Sequence, residues 1–172
     1  LPDAETKGLR FMKVTFIFPG ITDCGFNAKR GNEATFSNHG LCLLSACLKQ
    51  KGHAVELIDL RRLEGWEHFE RLIQEKDLGI VGITMMSCDY DPAMKAAEII
   101  KKHKPETPIV VGGPHPSIAS EELTDDKRVD HIHLGEGEIT FPQLVEDLSV
   151  GKPRERIVRG IQADLNQLPF AD

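Results

Sequence analysis

The 172-residue chain is 40% hydrophobic and 28% charged, with a formal net charge of -6. A chain of this length makes one domain that buries about two thirds of its unfolded surface without needing staples, and its acidic balance argues against a phosphate-tracking nucleic-acid surface. The N-terminal LPDAETKGLR has no apolar signal core, and the longest apolar runs, near Val14 to Phe18 and Leu78 to Met86, are too short to span a bilayer. A cytoplasmic protein with neither a nucleic-acid nor a membrane partner is expected.

Apolar runs recur at Phe11 to Phe18, Ala54 to Ile58, Leu78 to Thr84, Pro108 to Val111 and Asp130 to Leu134, with helical periodicity between them. The first helix is expected to begin near Asn38 and to carry Leu41, Leu44 and Leu48 on one face until Lys51-Gly52 stops it. A second covers Trp66 to Glu75. In the third, Asp91 is the expected N-cap and Pro92 the first residue, with Ala93, Ala96, Ala97 and Ile100 on the buried stripe before Pro105. In the last, Thr140 and Gln143 have the spacing of a capping box ahead of Leu144, Val145 and Leu148. This βα alternation predicts an α/β fold: a flavodoxin-like (Rossmann-like) five-stranded parallel sheet, helices on both faces, joined by right-handed crossovers. Residues 9–150 form the expected domain, and 151–172, which hold one short strand candidate, an extension.

The run from Ile109 to Phe141 puts glycine-rich turns at the tips of two successive strands, Gly112-Gly113 after one and Gly135-Glu136-Gly137-Glu138 after the other. In such sheets the strand tips bind the ligand. Several familiar chemistries are excluded. The first strand runs into Phe18-Pro19-Gly20 with no GxGxxG, while Gly135-x-Gly137 has Thr140 in the third glycine position and follows the fifth strand. A phospho-receiver needs an acidic pair where Pro19 and Gly20 stand. Among the seven histidines, His131 and His133 share a strand face, but no third ligand follows from spacing, and a polar strand end explains them more simply. His115, in the Gly-Gly turn, is the histidine expected to face a ligand. Glu136 and Glu138 fit a ligand loop that satisfies orphan backbone donors better than a general acid/base pair. Of the four cysteines, Cys24 and Cys88 fall in strand-end loops, and none forms a CxxC pair, so reduced structural thiols are expected.

Three motifs then carry a family resemblance: VGITMMS at residues 81–87, VVGGPHPS at 110–117 and VDHIHLGEGEITF at 129–141. With NHGLCLLSACLKQKGHAVELIDLR from Asn38 onward, they resemble the N-terminal cobalamin-binding domain of cobalamin-dependent radical S-adenosylmethionine enzymes. The terminal LNQLPFAD is similar to that family's linker into its radical-chemistry barrel. The resemblance implies that Thr84 and Met86 occupy the family's Ser-x-Leu or Ser-x-Thr positions and that Gly112-Gly113 is its Gly-Gly pair. A corrin ring would lie over Thr84, Met85, Met86 and Ser87, with its nucleotide tail admitted beside Gly112, Gly113, Pro114 and His115. Gly135, Glu136, Gly137 and Glu138 would bond to tail hydroxyls or ring amides. No catalytic residue and no protein metal ligand is expected in this chain.

Two departures refine that expectation. Relatives that ligate cobalt through histidine carry Asp-x-His-x-x-Gly after the first strand, but His39 follows Ser37 at the aspartate position and precedes Cys42 at the glycine position. The resemblance therefore implies base-off cobalamin, its lower face open or approached from the Pro19 to Ser37 loop or from Met85 to Cys88. The Cys-x-x-x-Cys-x-x-Cys motif of an iron-sulfur cluster is missing too. The expectation is a fragment of a longer methyltransferase or related enzyme, with the [4Fe-4S] cluster and S-adenosylmethionine held by a radical domain in cis beyond Asp172. The competing readings are a stand-alone corrinoid methyl carrier and a cofactor-free interaction domain on the same scaffold.

Overall fold

The computed structural model describes residues 11–28 and 38–172; the predicted domain start at residue 9 lies outside them. Six strands are found among the described residues: β1 (Lys13–Phe18), β2 (Ala54–Asp59), β3 (Ile80–Thr84), β4 (Ile109–Gly112), β5 (His131–Leu134) and β6 (Ile157–Arg159). All pair in parallel, in the order β2-β1-β3-β4-β5-β6. The first five reproduce the flavodoxin-like order. The sixth corrects the five-strand expectation: Ile157-Val158-Arg159 is too short and too closely flanked by charge to stand out, yet it caps the open edge of β5 with Ile132 opposite Ile157.

Helices α1 (Ile21–Cys24), α2 (His39–Gln50), α3 (Trp66–Glu75), α4 (Tyr90–His103), α5 (Pro114–Ile118) and α6 (Thr140–Ser149) connect the strands. None is long and apolar enough to cross a membrane. Strand alternation divides the interior into two cores. On one face Ile17, Val81, Ile83, Val111 and Ile132 meet Phe69 and Ile73 of α3 and the alanine-rich stripe Ala93, Ala96, Ala97, Ile100 of α4. On the other, Val14, Phe16, Ile80 and Val110 meet Leu41 and Leu48 of α2 and Phe141, Leu144 and Val145 of α6. Each fully buried side chain such as Phe69 or Ile73 contributes about 1.5–3 kcal/mol.

Helix starts follow the sequence in part. Asn38 caps α2, its side chain accepting from Leu41 N at 3.0 Å, and α3 has the expected bounds. Asp91 is not the cap of α4: a 3₁₀ turn over Ser87–Asp89 runs straight into the helix, so Asp91 and Pro92 sit inside its first turn, where a carboxylate and a missing N–H are both tolerated. The capping box at Thr140 does not form, because that hydroxyl is drawn to His133 Nε2 at 2.7 Å.

Gly79 leads the chain into β3 at φ 62°, and a Cβ there would lie 2.0 Å from the carbonyl oxygen of Lys13. No side chain can yield to relieve that clash, since the obstacle is the neighbouring strand's backbone. Gly79→Ala is expected to destabilise the fold by about 2 kcal/mol or more, read as a lowered urea midpoint; an unchanged midpoint would contradict this account.

Candidate cofactor pocket

The carboxyl ends of β3, β4 and β5 lie side by side because the strands run parallel in close register, with Thr84 opposite Gly112. Backbone bonds continue the ladder past the strands: Met85 N donates to Gly112 O at 2.8 Å, and His115 N donates to Met85 O at 3.0 Å. Gly113 makes this possible. Its φ is 109°, and a Cβ would stand 3.0 Å from Met85 O. Ser117, on the short α5, then ties the two glycine turns together, its hydroxyl donating to Gly113 O at 2.9 Å and accepting from Gly135 N at 3.0 Å.

Beneath these turns, between the sheet and the α2/α6 layer, opens a cavity of about 340 Å³. It exists because three glycines leave space on that face. A Cβ on Gly82 would meet the Phe16 ring at 2.8 Å, one on Gly112 would approach His133 Cβ at 3.6 Å, and one on Gly137 would meet Leu44 at 3.1 Å. The walls are Phe16, Val110, Leu41, Leu44 and Phe141, with Asn38 and Gly40 at the start of α2.

Nine of the sequence-predicted residues line this cavity: Thr84, Met86, Gly112, Gly113, Pro114, Gly135, Glu136, Gly137 and Glu138. Three do not. Met85 is fully buried in the opposite core, Ser87 is exposed on the 3₁₀ turn after β3, and His115 is buried beneath it with Nδ1 3.2 Å from Ser87 Oγ. Sequence reasoning missed the α2 and α6 walls and Gly82. The glycine interrupting an otherwise β-branched strand was the available signal, since it marks a place where something approaches the sheet closely.

The polar groups are sparse and individually placed. Glu136 Oε2 accepts from Ala163 N at 3.2 Å, which fastens the C-terminal extension to the pocket rim. Glu138 lines the cavity with Oε2 buried and without a hydrogen-bond partner. Burial, and secondarily the Glu138 charge, push the Cys47 thiol up from its ordinary value. His133 is packed edge-on to Phe141 with ring centroids 6.4 Å apart, and burial lowers its pKa, keeping it neutral. His131 and His133 are both buried, not solvent-facing, and His131 Nδ1 lies 3.0 Å from Glu155 O. Among the described residues no three His, Cys, Asp or Glu side chains converge to hold a metal. No two of the four cysteines are joined by a disulfide.

A slot with apolar and aromatic walls, a glycine-lined mouth and one unsatisfied acceptor suits an elongated, partly aromatic ligand bearing hydrogen-bond donors. Residues 32–145 match the family described as B12 binding domain. The chain belongs to that family. This B12-binding domain is 29% identical over 152 residues to the uncharacterized methyltransferase PH0819 of Pyrococcus horikoshii, covering 87% of the chain and 32% of that protein. Its fold is similar to that of the radical S-adenosylmethionine methyltransferase TsrM from Kitasatospora setae, solved with cobalamin and a [4Fe-4S] cluster bound. The TM-score is 0.67 at 19% identity, covering 84% of the chain and 26% of TsrM. It is also similar to the cobalamin-dependent S-adenosylmethionine radical enzyme OxsB, solved with aqua-cobalamin and S-adenosylmethionine, with TM-score 0.66 at 22% identity over 81% of the chain and 19% of OxsB. The domain thus spans a third or less of each relative.

The lowered pKa of His133 sets a pH dependence. An unfolded chain takes up a proton as pH falls through about 6.5 while the buried imidazole does not, so stability is lost on the acid side of that value and is unaffected above it. His53, also lowered chiefly by burial, acts in the same direction. Urea midpoints measured between about pH 7.5 and 5.5 are expected to fall, and His133→Phe is expected to flatten part of that slope; an equally steep slope in the variant would contradict the assignment.

Proposed function

We propose that the domain binds cobalamin base-off. In this reading the corrin lies over the turn from Thr84 to Ser87, and the nucleotide tail lies in the cavity between the sheet and the α2/α6 layer. The observation that carries the reading is the cavity itself, apolar along its length and open at the two glycine turns. Phe16, Leu41, Leu44 and Phe141 would exclude water from the tail, and Gly112 and Gly113 would let it pass close to the backbone. Glu138, whose Oε2 has no partner, would accept a hydrogen bond from a tail donor. Met86, half exposed at the mouth, offers an apolar edge to the ring. Pro114 and His115 belong to the turn that frames it. The base-off assignment rests on the placement of the tail in the cavity, away from cobalt. The lack of a histidine on cobalt rests on the missing Asp-x-His-x-x-Gly motif and on the engagement of His133, the histidine lining the cavity, with Thr140. Of the loop from Pro19 to Ser37 expected to approach the lower face, residues 29–37 lie outside the described residues.

Bound cobalamin supplies a cobalt centre able to carry a methyl group or an electron. In the parent protein the domain would act as the cofactor module of a radical S-adenosylmethionine methyltransferase, with the [4Fe-4S] cluster and S-adenosylmethionine on another domain in cis. The names of PH0819, TsrM and OxsB support that reading, as does the small share of each that this chain covers. Residues 151–172 would then serve as the linker, although their first part is built into the sheet as β6. A Cys-x-x-x-Cys-x-x-Cys motif in the parent sequence after Asp172 is the expected companion feature.

Titration with hydroxocobalamin, followed by visible spectra, is expected to show saturable binding with a base-off spectrum. Gly112→Leu is the cleaner probe of tail placement, because Gly113 would add backbone strain whereas a Gly112 side chain projects toward His133 in ordinary contact. It should weaken binding about tenfold or more with little change in thermal stability. Parent-like affinity in that variant would refute the tail placement, and no saturable binding by the parent would refute the cofactor.

A further inference from the structure

Three side chains outside the cavity form a chain that ends at Ser87, the residue after the cavity-lining Met86. Ser87, exposed immediately after the cavity-lining Met86, has Oγ 3.2 Å from Nδ1 of His115. His115 is buried, with Tyr90 packed edge-on at 5.2 Å between ring centroids. Its other nitrogen, Nε2, is buried without a hydrogen bond but lies 3.6 Å from Glu122 Oε2. The backbone fixes the arrangement, since His115 N donates to Met85 O just before the turn that carries Ser87.

For the neutral ring, the carboxylate decides the tautomer by electrostatics. A lone pair on Nε2 would face the negative oxygens of Glu122, whereas an N–H there faces them favourably. With the proton on Nε2, Nδ1 is the acceptor and the Ser87 hydroxyl donates inward to it. The outward side of Ser87 Oγ is then left as a pair of acceptor lone pairs. The ring presents its nitrogens in the reverse sense to a hydrolytic triad, where the serine meets Nε2 and the acid meets Nδ1. The relay fixes the polarity of this surface hydroxyl.

We propose that Glu122, His115 and Ser87 form a positioning relay that presents the Ser87 oxygen as a hydrogen-bond acceptor to an N–H or O–H donor on the sheet-facing side of the corrin. This inference rests on the cobalamin reading above. Two sources supply that donor chemistry: a ring carboxamide or a water bound to cobalt.

The test uses hydroxocobalamin with the full-length protein and with this domain. Ser87→Ala, at an exposed position, is expected to leave thermal stability unchanged and to weaken binding about three- to tenfold, the range of one lost hydrogen bond. Ser87→Thr should restore it. His115→Phe should weaken binding in the parent by a similar factor but add little in the Ser87→Ala background, because the two act as one unit. If the donor is cobalt-bound water, Ser87→Ala also shifts the pH at which bound aquacobalamin loses its proton; if it is a carboxamide, affinity falls without that shift. Nitrogen-15 spectra of His115 without cofactor should show Nε2 protonated and Nδ1 perturbed by Ser87→Ala. Parent-like affinity and pH profile in Ser87→Ala, with a parent protein that binds normally, would overturn the relay alone. A parent protein that fails to bind overturns the cobalamin reading and the relay with it.

Discussion

Every feature of the pocket depends on the parallel hydrogen-bonded register of the strands. With Thr84 opposite Gly112 and Val111 opposite Ile132, three strand tips end at one level, and the loops that leave them share one edge of the sheet. An antiparallel neighbour would send alternate loops to the far edge. The ladder then extends one step beyond the strands through Met85, Gly112 and His115, so the turns are held as part of the sheet. A site of this kind is preorganised by the backbone, and its side chains need only shape the remaining space.

The two faces of the sheet serve different ends. The α3/α4 face is filled by β-branched residues against an alanine stripe, which lets α4 approach closely. The α2/α6 face receives Phe16 and Phe141, whose ring centroids are 5.7 Å apart, together with Gly82, against which the Phe16 ring lies, and Gly112 at the strand tip. Stability is concentrated on the first face and room for a ligand on the second. Both come from the same period-two alternation, read with large side chains in one case and with none in the other.

That difference explains what was legible in the sequence. The βα alternation, the bounds of α3, the Asn38 cap and the two glycine turns are local patterns, visible because each is set within a few residues. The walls supplied by Leu41, Leu44 and Phe141 are tertiary facts: nothing near Leu44 announces that it will stand over Gly137. The two misread helix starts have a common cause. Asp91 and Thr140 both have capping chemistry, but a preceding 3₁₀ turn in one case and a buried histidine in the other took the helix start or the hydroxyl away. β6 was missed as a full member of the sheet because three residues carry too little periodicity. His133 reads as a polar strand end because its burial depends on how the start of α6, at Thr140 and Phe141, folds back over β5.

The C-terminal extension ties the pocket rim to α2. After β6 it bonds Ala163 to the Glu136 carboxylate, then returns to α2, where Asp172 meets Ser45 and pairs with Lys49 at 2.6 Å. These are surface contacts with no core residue beneath Phe170, which is fully exposed. Exposed ion pairs contribute about 1 kcal/mol or less, so this segment opens at a small fraction of the free energy that unfolds the sheet. The turn that carries Glu136 is held separately, through the bond from Gly135 N to the Ser117 hydroxyl. The rim carboxylate is thus held by a tie much weaker than the fold that carries it, so a ligand group that took its place would displace a surface bond and leave the sheet intact.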